Sequence, residues 1–137
     1  MNAGENTFDL DTIVRFNKYL DQIEASEGPA VLITIGTGSK NFSLGFDMMQ
    51  WAKGVGMSNL MISLAQQQQI LARFLTLPMP TMAVLNGHTY AGGLILALCH
   101  DFRIMAEGRR KVCLSELRVG FPLPPAYNAF CAATLPI

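Results

Sequence analysis

Residues 30–36, Ala-Val-Leu-Ile-Thr-Ile-Gly, form an unbroken β-branched and apolar run. A strand with one wet face alternates apolar and polar residues, so a run apolar at both parities predicts a strand buried on both faces and, by that token, a parallel one. The segment before it is helical in pattern. Residues 9–25 place Ile13, Phe16, Leu20 and Ile23 three or four apart, with Val14 and Tyr19 alongside, and Asp9 or Asp11 is available as the cap. A turn at Glu27-Gly28-Pro29 joins the two. Helix followed by buried strand predicts α/β construction.

The same alternation continues along the chain. Residues 57–76 carry Leu60, Leu64, Leu71 and Leu75 on one predicted face, with Ser58 or Asn59 as the cap. Gln66 to Gln69 is too short a polar run to be low complexity. Leu-Pro-Met-Pro ends this helix, because proline cannot continue it and restrains its predecessor. Residues 81–86 then read as a second buried strand, Gly92 to Cys99 as a helix, 102–106 as a third strand and 111–116 as a fourth, short one. Four prolines in the last 17 residues predict a loop leading into an unfinished helix. No internal repeat and no long linker is visible. With neither a clear opening strand nor a closing element, residues 1–137 are expected to form a single partial domain.

Composition excludes several function classes. Ten basic residues balance ten acidic ones and charged residues make up 15% of the chain, which argues against a nucleic-acid surface, whose affinity rests on clustered lysine and arginine. Half of the residues are hydrophobic, and that excess predicts apolar surface covered by a partner or by further chain. Cys99, Cys113 and Cys131 lack the close spacing of zinc or redox motifs and read as free thiols in a reducing compartment; no metal site is expected. No apolar run reaches the roughly 18 residues of a membrane span, and the acidic, polar start is no signal or transit peptide, so a soluble chain is expected with no targeting signal in view.

Three segments carry chemistry. Asn-Phe-Ser-Leu-Gly-Phe-Asp, residues 41–47, reads as a strand exit with a glycine at a sharp bend. Gly92-Gly93 starts an apolar helix with the poorest helix former after proline, which close packing against a strand would explain equally well. Together the two segments offer backbone N–H groups at strand ends, one of them at the positive end of a helix dipole. Two such donors in a dry pocket could hold a carbonyl oxygen that gains charge during reaction. One donor contributes ~2.7–4 kcal/mol to a transition state, against a helix penalty of roughly 1 kcal/mol for glycine. In the third segment Glu116 sits in an apolar stretch. It is either the partner of Arg118 or a neighbouring arginine, or a carboxylate whose pKa burial raises until it can take a proton from carbon.

Phe-Ser-Leu-Gly-Phe-Asp (42–47), residues 79–101 and Leu-Ser-Glu-Leu-Arg-Val-Gly-Phe (114–121) resemble, in order and spacing, the signature segments of the crotonase (enoyl-CoA hydratase/isomerase) superfamily, in wording nearest its peroxisomal Δ3,Δ2-enoyl-CoA isomerases, particularly those of plants. The resemblance runs from about Phe8 to Phe130. It implies a crotonase-like spiral of ββα turns, incomplete here, with oxyanion N–H groups at Phe46 and Gly92 and an acyl-CoA pocket lined around Leu44, Gly45, Phe46, Asp47 and Met48. The implied partner is an acyl-CoA thioester, with coenzyme A as part of the substrate and no separate cofactor. Relatives of this kind are peroxisomal or mitochondrial and assemble as homo-oligomers, trimers by the resemblance, or enter larger complexes.

Hydratases of that family carry a glutamate at the position of Ile95 and a second at Glu116, one to activate water and one to manage the α-proton. The isoleucine here implies an isomerase, with Glu116 alone shuttling a proton between C2 and C4 of a 3-enoyl-CoA. The opening strands of the family and the part beyond the Glu116 loop, including its helices over the acyl pocket, have no counterpart in the chain. Two further expectations follow: a carboxylate left in water with an ordinary pKa, and, as the alternative function, a non-catalytic relative serving as a structural subunit of a larger assembly. His88 is expected in a loop near the pocket, His100 and Asp101 at the helix end, Asp47 bonding its own turn, and Trp51 and the methionines in the core or the acyl pocket.

Overall fold

The computed structural model describes residues 5–48 and 56–135. In chain order these form β1 (Thr7–Phe8), α1 (Leu10–Glu24), β2 (Leu32–Ile35), β3 (Asn41–Ser43), β4 (Gly45–Phe46), α2 (Gly56–Leu75), β5 (Thr81–Leu85), β6 (His88–Tyr90), α3 (Gly92–Leu98), β7 (Phe102–Met105), β8 (Val112–Cys113), a 3-10 turn (Glu116–Val119) and α4 (Pro125–Thr134). Trp51, assigned above to core or pocket, lies outside the described residues.

The elements wind as a spiral of three ββα turns. Each turn lays one strand in a first parallel sheet, β2-β5-β7, and one in a second, β3-β6-β8, before a helix returns the chain. Register in the first sheet is continuous, with Ile33 opposite Met82 and Met82 opposite Phe102; in the second it slips once between Asn41 and Ser43. β1 and β4 form a third, two-stranded parallel pair, Thr7 beside Gly45 and Phe8 beside Phe46. The α/β spiral is the expected one. The repeat that the sequence hid is structural, because strands of two to five residues can be specified by backbone pairing with few side chains in common.

Several expectations change. An opening strand exists, the two residues of β1. The segment 41–47 is a pair of short strands, and Glu116 stands in a 3-10 turn beyond β8 instead of at a strand end. Ser58 and Asn59 fall inside α2, past its first residue, whereas Asp9 caps α1 by accepting from the Thr12 N–H at 2.6 Å. The buried stripe of α2 is Ser63, Leu64, Gln67, Ile70, Leu71 and Phe74, while Leu75 is exposed. One of the four glutamines therefore occupies a core position. The first sheet is not covered on both sides: Ile33, Ile35, Phe102 and Ile104 are each more than half exposed. Among the described residues no helix packs over that face.

The core gathers between the sheets and helices. Phe8, Phe16, Phe74 and His100 form a chain of rings linking β1, α1, α2 and the end of α3, at centroid separations of 5.7, 6.0 and 5.1 Å. His100 does finish α3. Its Nδ1 faces the Leu96 carbonyl at 2.9 Å, so Nδ1 carries the proton and Nε2 accepts from the Thr34 hydroxyl at 2.8 Å. Burial holds this imidazole below the usual histidine range. Asp101 then accepts from the Thr81 N–H and hydroxyl at 2.8 and 2.9 Å, tying the α3 exit to the start of β5. Arg73 clamps α2 to α1 through Asp21 and Glu24 at 2.7 and 2.8 Å, an exposed pairing that solvent screens and that adds little to stability.

With seven residues, α3 is too short to persist alone. Every one of them is buried, and Leu94, Ile95, Leu96 and Leu98 each stabilise the docked helix by roughly 1.5–3 kcal/mol. The approach is close enough that a Cβ on Gly93 would lie 2.4 Å from the Ser43 carbonyl oxygen and 2.7 Å from its Cβ. Gly93→Ala is therefore expected to lower the unfolding free energy by about 1–3 kcal/mol or more. Urea unfolding measures this, and a change within experimental error would contradict so tight a contact.

Candidate active site

Gly45 and Gly92 meet where β4 passes the start of α3. Gly45 has φ of +82°, a conformation that other residues seldom adopt, and a Cβ there would lie 2.6 Å from the Gly92 nitrogen. The glycine thus serves both the turn and the uncovered space over the Gly92 amide. Ser43 fixes that turn: its buried hydroxyl donates to the Asn6 carbonyl at 2.6 Å and accepts from the Gly45 N–H at 3.1 Å. Asn6 in turn donates to the Asn41 carbonyl at 2.8 Å, so the strand below the site is braced from the N-terminal segment.

Ala91 makes the corner from β6 into α3 with φ of 52° and ψ of −130°, a strained pair for alanine that costs of order 1–3 kcal/mol. The corner is held from both sides. Its N–H donates to the Cys113 carbonyl at 2.9 Å, and its own carbonyl accepts from Leu94 and Ile95. As the first helical residues, Gly92 and Gly93 have no intrahelical acceptor for their N–H groups, and Ala91 provides no side-chain cap. The two glycines divide the roles weighed for them: Gly93 serves close packing, while Gly92 faces a cavity. The helix dipole adds little over seven residues, so what polarity the helix start offers the cavity comes from the local N–H of Gly92.

That cavity has a volume of about 160 Å³ and a mainly apolar wall. Leu44, Phe46, Met48, Gly92 and Glu116 all line it. Gly45 and Asp47 do not; Gly45 is buried beside Gly92, and the Asp47 N–H donates to the Phe8 carbonyl at 3.2 Å. A larger groove of about 560 Å³ runs between α1 and β2, but among the described residues no charged side chain lines it. The smaller cavity is where polar groups converge in an apolar wall, the usual character of a ligand site.

Glu116 enters from the 3-10 turn. Its Oε2 is buried without a hydrogen-bond partner, and burial pushes its pKa above the ordinary glutamate value. Among the described residues the ion pairs are those of Arg73, so the alternative of a bridge from Glu116 to Arg118 is not found. Nor is the carboxyl group wholly in water, since Glu116 is partly exposed but its Oε2 is buried. Phe121 and Leu123 wall the cavity beside it, and Tyr127 of α4 closes the wall. The residues that sequence reasoning read as a proline-rich loop therefore act as the cover.

His88 lies in β6, not in a loop, with its ring stacked on Tyr90 and its Nδ1 accepting the Lys111 N–H at 3.1 Å; it does not line the cavity. Of the methionines, Met48 lines the cavity although it is about half exposed, and Met61 and Met105 are exposed. All three cysteines are free, and burial pushes the Cys99 thiol up to about 12. Among the described residues no cluster of metal-ligating side chains occurs and no helix is long and apolar enough to cross a membrane. Sequence reading missed Gln67 and Tyr127 at the site. The only signal for Gln67 was its place on the helical stripe between Leu64 and Leu71, which the glutamine run around it concealed.

A family model described as enoyl-CoA hydratase/isomerase matches residues 2–135. The chain is 39% identical over 133 residues to enoyl-CoA delta isomerase 3 of Arabidopsis thaliana, covering 94% of this chain and 55% of that protein. Against the peroxisomal enoyl-CoA delta isomerase 2 of the same plant it is 38% identical over 138 residues, covering 96% and 57%. The crystal structure of an enoyl-CoA hydratase from Bacillus anthracis superposes with a TM-score of 0.79 at 28% identity, over 84% of this chain and 44% of that one. The chain spans about half the length of the curated relatives it matches. With the fold, the spacing of its motifs and these matches in agreement, the chain belongs to the enoyl-CoA hydratase/isomerase family.

Proposed function

We propose that this chain carries the active site of an isomerase that converts 3-enoyl-CoA to trans-2-enoyl-CoA in fatty acid β-oxidation. The observation that carries the reading is the buried, unpartnered Oε2 of Glu116 on the same 160 Å³ cavity as Phe46 and Gly92. The thioester carbonyl oxygen is received by the N–H groups of Phe46 and Gly92. The Glu116 carboxylate takes a proton from C2; the C2–H electron pair spreads over the dienolate, with charge on the thioester oxygen. The same carboxyl group returns the proton to C4, so the double bond moves from C3–C4 to C2–C3 with no atom gained or lost. Charge develops where preorganised donors stand, in a mainly apolar wall, which is where such donors are most effective. Ile95, buried in the core and absent from the cavity wall, supplies no second carboxylate for water addition.

A cavity of this size takes the thioester head and a short stretch of acyl chain, while the nucleotide of coenzyme A remains outside. Coenzyme A enters as part of the substrate and no separate cofactor takes part. Peroxisomal relatives support a peroxisomal setting, and the family resemblance supports a homo-oligomer, a trimer. A second reading, a non-catalytic structural subunit, is favoured by one observation: the open apolar face of the first sheet around Ile33, Ile35, Phe102 and Ile104. Size-exclusion chromatography separates the two. A discrete oligomer active on its own supports the enzyme, whereas recovery only as aggregate or in a complex with another protein supports the subunit.

Purified protein given 3-hexenoyl-CoA should produce the absorbance of the conjugated thioester, and Glu116→Gln should reduce kcat at least ~10²-fold, the lower range for a positioned acid–base group. An unchanged rate in the variant would overturn the assignment. The pH dependence has a definite sign. Burial raises the Glu116 pKa, so the reactive carboxylate is depleted already above pH 4.5, and kcat/KM should fall on acidification with its midpoint above that value. A midpoint at or below 4.5, after correction for any unfolding, would place the base in water.

A further inference from the structure

Gln67 is buried to within 1% of its surface, on a helical stripe it shares with Ser63, Leu64, Ile70, Leu71 and Phe74. Its Oε1 accepts a hydrogen bond from the Tyr127 hydroxyl at 3.1 Å. Its Nε2 has no partner. A primary carboxamide nitrogen brings two N–H donors, and leaving a buried donor unmet is destabilising, so an apolar residue here would make the empty protein more stable. Burial pushes the Tyr127 phenol above its ordinary pKa, which keeps it a proton donor to Oε1 and turns Nε2 the other way.

The other way is the cavity. A Cβ built on Gly92 would lie 3.0 Å from Gln67 Nε2, and both residues line the wall. Among the described residues, two of the buried side-chain polar atoms without partners belong to cavity-lining residues, Gln67 Nε2 and Glu116 Oε2. One is a donor beside Gly92 and the other is the acid–base oxygen. The absent side chain of Gly92 thus does more than uncover its own amide, since it leaves the gap through which the carboxamide reaches.

We infer that Gln67 Nε2 is a third donor to the thioester carbonyl oxygen, acting beside the backbone N–H groups of Phe46 and Gly92, with Tyr127 as the residue that orients it. The inference rests on the isomerase reading for the identity of the acceptor. It gives the buried amide its missing acceptor only when substrate is bound, and strengthens as the oxygen gains negative charge.

The test compares two ligands on the full chain by isothermal titration: hexanoyl-CoA, and S-hexyl-CoA, the thioether in which the carbonyl is a methylene. Wild type should prefer the thioester about tenfold. Gln67→Met, similar in volume but without donors, should reduce that preference about fivefold to tenfold while leaving thioether affinity unchanged, and should lower kcat for 3-hexenoyl-CoA by roughly tenfold to a hundredfold. In difference infrared spectra with carbonyl-labelled hexanoyl-CoA, the bound thioester stretch should lie closer to its free value in the variant. Gln67→Asn, which withdraws the amide by one methylene, is read in the same way and serves if the methionine variant unfolds. Equal binding of thioester and thioether by wild type would defeat the carbonyl-docking reading itself. A wild-type preference that the variants retain, with the same carbonyl stretch, would overturn the role of Gln67 alone.

Discussion

Ser43 and Gly93 come so close that no side chain fits between them, and the site is built outward from this contact. It presses the short helix α3 onto the end of β3, and with the helix in place the next residue back, Gly92, lies over Gly45. Two segments nearly fifty residues apart are thereby brought within van der Waals contact. Their register is set by parallel ladders on either side: β6 lies between β3 and β8, and β1 holds β4. A rearrangement of any of these strands would separate Gly45 from Gly92. The strain at Ala91 is tolerated for the same reason, since a ladder bond to Cys113 and the buried leucines of α3 hold its two ends.

Polarity at the site is set by what surrounds it. Glu116 and Gln67 are ordinary polar side chains whose chemistry comes from confinement: burial raises the carboxyl pKa of one and leaves the amide nitrogen of the other without a partner. Both arrangements work against stability in the empty protein, and in the proposed reaction both are put to use when a thioester supplies an acceptor and a proton to move. Local rules are most often broken at such positions, where function and packing compete.

Two patterns in the chain could be read without coordinates because they are local. Alternating helical and apolar segments gave the α/β class, and three ordered motifs carried the family and the expected positions of Phe46, Gly92 and Glu116. The short strands β1, β3, β4 and β6 were not legible, since two or three residues carry too little periodicity to stand out from a turn. For β2 and β7 the hydrophobic pattern was read correctly as strand, yet one face proved open, because composition records how apolar a strand is and not what covers it.

The sequence by itself determined the order of the elements, the glycines at the two bends and the single acidic residue set in an apolar stretch. These are properties of neighbouring residues, governed by backbone freedom and by hydrophobic period. Only the tertiary structure decided that Gly93 packs while Gly92 opens onto a cavity, that α4 covers Glu116, and that one glutamine of four turns inward to face the same space. Those distinctions depend on which distant segments share a volume, and burial, the quantity that tunes both the carboxyl group and the amide, exists only once the chain has closed around them.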